Sequence, residues 1–197
     1  MAAPEEIVAS SLTVYAAVVG TSFPLIDDAE ADFDVAWTKI GVAGSNNYDD
    51  SGVSVSHTET VNDFTPAGST MPVKRFRTAE NFEIKLNLVD LSPVTYAMVM
   101  NDADVTTVAA TTGLAGEKSF SLFRGDQVNS FAVLARGLSP VDNTLNMQYE
   151  FSKAFLSVNG DVVYNKGVPA MLPLDILAVR HSSSDVILCR IQTAAAS

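Results

Sequence analysis

Apolar and polar side chains alternate in many short stretches of this chain, and that alternation restricts it to a fold built from strands. In residues 82–88 every second position is apolar, and charged or amide side chains occupy the positions between them. A period of two places the apolar set on one face of a strand. The segment therefore predicts a strand with one buried face, formed by Phe82, Ile84, Leu86 and Leu88.

A short helix is predicted directly after this strand. Ser92 offers a hydroxyl that can cap the first turn, and Pro93 suits the first helical position, where no amide donor is required. The apolar residues Val94, Ala97 and Met98 then share one helical face. Because so short a helix lacks the length to offset nucleation, we expect a sheet to cover that face.

The same alternation recurs along the rest of the chain, between stretches rich in Gly, Asn, Asp and Ser. It gives some nine or ten strands against one helix, with no internal repeat and no regular succession of strand and helix. This pattern predicts a mainly β fold, an antiparallel β-sandwich or barrel with one short packed α-helix. The further strands are predicted at residues 11–19, 35–42, 53–59, 119–124, 130–136, 145–158, 161–164, 170–180 and 186–192, with at most a short one in 102–116.

Three local features of the strands are also predicted. The apolar parity of residues 145–158 switches near Lys153, which indicates a β-bulge. Gly125 and the residue after it predict a hairpin between the strands on either side. Asn159 and Gly160 predict a two-residue hairpin turn, because both tolerate positive φ.

The chain of 197 residues suits one domain, residues 1–197, with acidic loops and flexible chain ends. Its net charge of −11 is distributed unevenly. Residues 1–63 carry eleven acids against Lys39, a balance of −10, and the remaining 134 residues carry twelve acids against eleven bases, a balance of −1. The loop of residues 23–34 is rich in these acids. Such asymmetry is typical of a solvated or interacting surface.

Nucleic-acid binding is disfavoured by this charge, because affinity for DNA or RNA depends on neutralising phosphates with Lys and Arg. The one dense basic cluster is Lys74, Arg75 and Arg77. We interpret it as a charged strand edge or a site of ion pairs between subunits, rather than as a nucleic-acid contact.

The sequence predicts a protein made in a reducing cytoplasm and without a membrane partner. Its first residues are acidic where a secretion signal is basic, and no run of about eighteen apolar residues predicts a membrane span. Cys189 is the only cysteine, so no intramolecular disulfide can form. Its place in an alternating run predicts a small buried side chain. Trp37, the only tryptophan, is predicted to anchor the core.

No pattern in the sequence predicts catalysis. A Ser or Cys nucleophile commonly needs a His as base, and the only candidates are His57 and His181. His57 lies on a predicted strand and His181 in a Ser-rich turn, and neither accompanies a nucleophile motif. We therefore predict that the protein is not an enzyme and has no catalytic or cofactor-binding residues.

No metal site is predicted either. One cysteine and two distant histidines do not supply a zinc ligand set. A calcium-binding loop requires a bidentate glutamate at its last position, where this sequence has Thr58. A turn is therefore the better interpretation of the residues that imitate the start of such a loop, which are Asn47, Asp49, Ser51 and Gly52.

Longer stretches of the sequence resemble one protein family. These are PAGSTMPVKRFRTAENFEIKLNLVDLSPVTYAMVMN, LTVYAAVVGTSFPLID, VAWTKIG and ARGLSP, which are spread over the first 140 residues. They are similar to the major tail tube protein of long-tailed (siphovirus-like) phages and prophages. The resemblance is weaker beyond residue 145.

The resemblance implies a structural protein of the virion tail, assembled in the host cytoplasm. Proteins of this family form hexameric rings whose sheets join into an inner β-barrel, and stacked rings form the conduit for phage DNA. The implied partners are further copies of the chain, the tape measure and terminator proteins, and DNA that passes without specific binding. By position, we expect residues 62–71, residues 23–34 and the chain ends to stack the rings.

A protein of a different class is also compatible with these residues. A monomeric β-sandwich can bind carbohydrate or protein at a phage tip or a cell surface. It predicts a stable monomer with a ligand site that contains exposed aromatic side chains. The candidates for that site are Tyr48, Tyr149 and Tyr164.

Overall fold

The computed structural model describes residues 12–41, 48–89, 91–100, 104–123, 125–142, 144–180, 182 and 185–193. In this part of the chain lie ten strands, the helix α1 (Pro93–Val99) and a 3-10 turn (Glu30–Asp32). The predicted mainly β, antiparallel fold with one short helix is confirmed. The strands are β1 Thr13–Val18, β2 Thr38–Lys39, β3 Tyr48–Phe64, β4 Lys74–Leu88, β5 Thr106–Val108, β6 Glu117–Ser119, β7 Ser130–Leu138, β8 Asn146–Val158, β9 Leu172–Ala178 and β10 Ile187–Ile191.

Eight strands form one antiparallel sheet in the order β2-β1-β7-β8-β9-β4-β3, with β10 paired to β8. β8 is long enough to hold two partners along one edge, β10 along its first half and β9 along its second. β5 and β6 form a separate ribbon. Within the described residues the sheet does not close into a barrel, because β2 and β3 at its two ends do not pair with each other.

The main core lies between the two halves of this folded sheet. One row of apolar side chains runs across four strands, from Val55 through Ile84 and Ile176 to Leu156. α1 adds Val99 to the same cluster. The buried face predicted for residues 82–88 is confirmed, since three of its four side chains are buried and Phe82 is half-buried.

A second apolar cluster covers the opposite face of β1 and β7. Residues 22–37, which we call the strap, cross this face and add Phe23, Phe33 and Trp37 to it. The prediction that Trp37 anchors the core is confirmed, and its Nε1 also donates to the Ser22 carbonyl at 3.0 Å. Both faces of β1 and β7 are therefore buried, which explains why these strands are apolar at most positions.

Three polar side chains on β7 and β8 hold the strap in place. Arg136 donates to two strap carbonyls, Asn146 Nδ2 donates to the Ile26 carbonyl at 2.9 Å, and Gln148 Nε2 donates to the Pro24 carbonyl at 3.2 Å. Burial lowers the pKa of Arg136 from its ordinary value. These bonds fix the acidic strap on the sheet. Within the described residues, Arg136 Nη1 and Gln148 Oε1 are buried without a hydrogen-bond partner.

Tyr48 ties the two ends of the sheet together. It begins β3, yet its hydroxyl accepts from the Val14 N–H of β1 at 3.0 Å and donates to the Ile40 carbonyl at 3.1 Å. Burial raises the pKa of Tyr48 to about 12. Tyr48 is thus a structural residue with both hydroxyl functions in use, rather than an exposed ligand contact.

We expect Tyr48→Phe to lower the free energy of unfolding by about 1–2 kcal/mol, because the buried Val14 N–H loses its acceptor. The pKa of Tyr48 is higher folded than unfolded, so its contribution is fully present below pH 10 and is lost as the pH rises toward 12. Urea unfolding across this range measures both effects. Tyr164→Phe, at an exposed site, is the control. The wild type should lose more stability than Tyr48→Phe as the pH rises through this range. An equal loss in both proteins would contradict the stabilising role of the Tyr48 hydroxyl.

Several local predictions are confirmed and others are wrong. The register of β7 against β8 shifts between Phe131 and Val133, opposite residues 152–153, so the bulge near Lys153 is confirmed. The predicted strand at 35–42 is reduced to β2. Its first residues form a turn instead, in which Asp34 Oδ1 accepts from the Ala36 N–H at 3.0 Å.

Both predicted short hairpins are wrong. β7 pairs with β1 and β8, which occupy its two edges, while β6 pairs with β5 and residues 120–123 are not in a strand. β8 pairs with β9 and not with residues 161–164, so residues 159–171 form a longer excursion. In the first place pairing with the distant strand β1 prevails over a turn signal, and in the second β8 pairs with the next strand, β9, after the longer excursion.

The predicted helix is confirmed, and so are two of the three residues of its predicted face, since Ala97 is buried and Met98 packs against the core. Ser92 Oγ accepts from the Thr95 N–H at 3.3 Å, as a capping residue does. The buried side chains are Thr95, Ala97 and Val99, whereas Val94 is exposed. Because this seven-residue helix carries apolar residues on most sides, its period could not single out one face.

Candidate functional site

A long two-stranded ribbon extends from one end of the sheet. β3 and β4 pair over their full lengths, and the turn at residues 65–73 joins them. β9 covers the second edge of β4 only from Glu83 onward. Residues 57–82, which we call the arm, therefore form a ribbon with no strand partner on either edge in the described part of the chain. Nearly every residue of the arm is exposed.

At its root, the arm continues the core face of the sheet with polar residues. The rings of His57 and Phe82 stack with centroids 4.3 Å apart. His57 Nε2 lies 2.9 Å from Glu80 Oε1. Arg77 extends this cluster with its Nη1 at 3.6 Å from the same carboxylate. His57 is thus part of an exposed structural cluster.

Cross-strand ion pairs continue along this face toward the tip of the arm. Arg77 Nε lies 2.7 Å from Glu59 Oε2. Arg75 donates two hydrogen bonds to Asp63, at 2.6 and 2.9 Å, and lowers the pKa of that carboxyl. Exposed pairs of this kind are screened by solvent and contribute little to stability. They set the register of the two strands but do not give the arm a core of its own.

The other face of the arm presents apolar side chains to solvent. Phe64 and Phe76 lie on this face, and Met71 and Val73 follow in the turn; all four are exposed, Met71 to 72%. Lys74 Nζ lies 5.0 Å from the centre of the Phe76 ring and has no acidic partner in the described residues. Clustered exposure of large apolar side chains is typical of an interaction surface.

The sheet also leaves long strand edges uncovered. β3 has 17 residues and is the last strand at its end of the sheet. At the opposite end β2 has only two residues, and β1 behind it is also held at Val14, whose N–H donates to Tyr48 and whose carbonyl accepts from the Ile40 N–H at 2.9 Å. Uncovered edges offer unpaired N–H and carbonyl groups to another strand. Within the described residues the sheet therefore has a long uncovered edge at β3 and only a two-residue one at β2.

A groove of about 240 Å³ opens at the root of the arm, and a wider cleft of about 560 Å³ separates β4 from β10. Cys189 lines the groove and is exposed, so the prediction that it is buried is wrong. The reason is that β10 pairs only with β8 and its outer side has no further layer. Partial desolvation raises the pKa of the thiol. The groove is lined by Val55, His57, Phe82, Tyr149, Phe151, Ile187, Leu188 and Cys189.

The remaining candidate residues do not form a common site. Asp49 accepts hydrogen bonds from Asn87 Nδ2 at 3.0 Å and from the Ser51 hydroxyl at 2.5 Å. Asn47 and His181 lie outside the described residues. In the part of the chain that the structure describes, no group of three or more His, Cys, Asp or Glu side chains could hold a metal ion.

The acidic loop predicted at residues 23–34 lies in the strap and is mostly exposed. Two of its carboxylates stabilise turns, since Asp28 accepts from the Leu25 N–H at 2.7 Å and Asp34 from Ala36. Glu30 lies 3.5 Å from Lys39. The strap thus presents a rigid, negatively charged outer surface. Its acids are Asp27, Asp28, Glu30, Asp32 and Asp34.

The length of the arm was missed by the sequence prediction, which began the central strand at Phe82 rather than at Lys74. Residues 74–81 have no apolar alternation, because neither face of the arm is buried. A weaker signal was present in the charges. The acids Glu59 and Asp63 precede the turn at residues 65–73. The bases Arg75 and Arg77 follow this turn at nearly matched distances.

Within the described residues, α1 is the only α-helix, and no helix combines the length and apolar character needed to cross a membrane. Comparison of the chain with protein-family models found no match, and none of the curated proteins matched it either.

Proposed function

We propose that this chain is a structural virion protein, the major tail tube protein of a long-tailed phage or prophage. In this proposal it assembles into hexameric rings that stack into the conduit for phage DNA. The arm is the observation that carries the proposal. An isolated two-stranded ribbon is marginally stable in water. Its free edges and exposed apolar side chains would gain partners when subunits assemble.

Ring closure is supported by the edges of β3 and β2 that are uncovered in the described residues. Pairing the β3 edge of one subunit with the β2 end of the next joins two different surfaces. Head-to-tail contacts of this type give a closed ring when the rotation between subunits closes. In such a ring the β3 edge would gain a strand partner, which also reduces the risk of uncontrolled aggregation.

Stacking of rings is assigned to the arm, the strap and the chain ends. The arm presents its apolar side chains at the end farthest from the core, and the strap presents a rigid acidic surface. At the ends of the tube the same surfaces would meet the terminator protein, and the lumen would hold the tape measure protein before DNA passes.

The negative charge of the chain suits a tube through which DNA passes without sequence-specific binding. A net charge of −11 per subunit is multiplied in each ring. Carboxylates that face the lumen would repel phosphates, so DNA could move without being held. The proposed location is the tail of the virion, with assembly in the host cytoplasm.

Replacing the two phenylalanines on the apolar face of the arm, Phe64 and Phe76, tests the proposal at low structural risk. We expect Phe64→Ser and Phe76→Ser each to change the free energy of unfolding by no more than about 0.5 kcal/mol, because both rings are largely exposed. The double variant should lose most of its assembled fraction, measured by sedimentation. Leu114→Ser, at an exposed turn between β5 and β6, is the matched control. Normal sedimentation of the double variant would oppose a role for the arm in assembly.

The groove at the root of the arm favours a second candidate, a monomeric binding module for carbohydrate or protein. Of the three tyrosines considered for such a site, Tyr149 lines the groove, Tyr164 is 77% exposed, and Tyr48 uses its hydroxyl inside the fold. This candidate predicts a stable monomer whose ligand binding is lost in Tyr149→Ala. Assembly of the pure protein separates the two proposals.

A further inference from the structure

The excursion after β8 begins with the only Asn–Gly pair of the chain, Asn159 and Gly160. Both residues are exposed. Asparagine is among the thermolabile residues of proteins. When glycine follows it, no side chain shields the backbone nitrogen that can reach the asparagine Cγ. The pair is therefore the first place to look for a spontaneous reaction of this chain.

The fold retains glycine at this position for a packing reason. Gly160 has φ of 145°, which L side chains rarely adopt. A Cβ placed there would lie 2.9 Å from Pro173 Cγ at the start of β9. A bulkier residue that would shield the nitrogen is therefore excluded by the approach of the two chain segments.

Within the described residues, hydrogen bonding leaves the Gly160 nitrogen, which can attack the side chain, without a partner. It holds Asn159 Nδ2, the atom that would leave. The Gly160 N–H makes no hydrogen bond within the described part of the chain, whereas the Asn159 N–H donates to the Pro173 carbonyl at 3.4 Å. Asn159 Nδ2 donates to Asp175 Oδ2 at 2.6 Å. The side-chain amide is thus held by its nitrogen beside a carboxylate, next to an unpaired backbone N–H.

We propose that Asn159 is a site of spontaneous deamidation in the folded protein. The Gly160 nitrogen loses its proton to water or hydroxide and bonds to Cγ of Asn159. The bond from Cγ to Nδ2 then breaks, and the nitrogen leaves as ammonia with a proton from solvent, giving a succinimide. Water opens the ring at either carbonyl and yields aspartate or isoaspartate. The balance is one water consumed and one ammonia released.

Deamidation would turn an attractive contact between the end of β8 and β9 into a repulsive one. The amide that donated to Asp175 becomes a second carboxylate beside it, and like charges at this distance repel. Lys85 Nζ lies 4.0 Å from Asp175, but at 3.0 Å it is closer to Glu83. Lys85 would therefore neutralise only part of this repulsion. Each deamidation would permanently weaken the contact between residue 159 and β9. This effect does not depend on whether the chain forms tubes.

One tryptic peptide, residues 154–166, contains both the site and its control. Asn165 is equally exposed but is followed by Lys166. Folded protein is incubated at neutral and mildly alkaline pH, and the peptide is analysed by fragment mass and isoaspartate content. We expect Asn159 to convert several-fold faster than Asn165, faster at the higher pH and with isoaspartate present. Equal rates, or conversion of Asn159 only in urea-unfolded protein, would overturn the proposal.

The consequence for stability is tested with Asn159→Asp, which reproduces one product. We expect its melting temperature to be lower than that of the wild type at neutral pH. Asn165→Asp should melt like the wild type. An Asn159→Asp variant as stable as the wild type at neutral pH would remove the proposed effect on β9.

Discussion

Deletion of residues 67–69 from the turn of the arm is expected to leave the subunit folded and to abolish tube formation. These residues are at the far end of the arm, and none belongs to either apolar core. Shortening the turn removes surface that a neighbouring ring would contact without exposing any core residue. Circular dichroism and urea unfolding report the fold, and electron microscopy reports the tubes.

The matched control for this deletion is removal of residues 112–113 from the turn between β5 and β6. That turn is also exposed and also contains a glycine at positive φ, Gly113 at 83°. We expect this control variant to assemble like the wild type. Normal tubes from the arm deletion would exclude the arm from stacking, and loss of tubes from both deletions would show that the effect is not specific to it.

Arg190→Ala is expected to lower the free energy of unfolding by roughly 3 kcal/mol, because it leaves a buried carboxylate without its cation. Glu150 is 1% exposed, and its Oε1 accepts from Arg190 Nε at 2.6 Å and from Gln148 Nε2 at 2.6 Å. Arg190 itself is half-exposed, which places the loss at the lower end of the range for buried pairs. Urea unfolding measures the change.

Two further variants separate the ion pair from general damage to β10. Arg180→Ala removes an exposed arginine that donates only to a nearby carbonyl, and it should change the stability by less than about 0.5 kcal/mol. Adding Glu150→Gln to Arg190→Ala should recover part of the loss, since the uncompensated charge is gone. A loss below about 1 kcal/mol for Arg190→Ala would mean that Glu150 is neutralised by other groups.

The parts of the fold that the sequence predicted are those that local chemistry determines. A buried strand face requires alternation, so Ile84, Leu86 and Leu88 were assigned correctly. The bulge near Lys153 follows from the parity of β8 alone, and the helix start follows from Ser92 and Pro93. Each of these signals lies within a few residues of the feature it predicts.

The features that the sequence did not predict depend on distant partners. β7 pairs with β1, more than 100 residues away, and that pairing prevails over the hairpin expected at Gly125. Cys189 alternates like a core residue but stands on a strand that no further layer covers. The arm has no buried face in this subunit, so its strands lack the alternation that marks burial. The charge pairs Asp63–Arg75 and Glu59–Arg77 were its only signal.

The central claim, self-assembly into rings and tubes, is tested most directly by negative-stain electron microscopy of the purified protein, concentrated and incubated, with its mass measured by light scattering. We predict rings or hollow tubes of uniform width, in equilibrium with a subunit of 20.9 kDa. A single species of that mass at every concentration, with no rings or tubes in the images, would contradict the claim and favour the monomeric binding module.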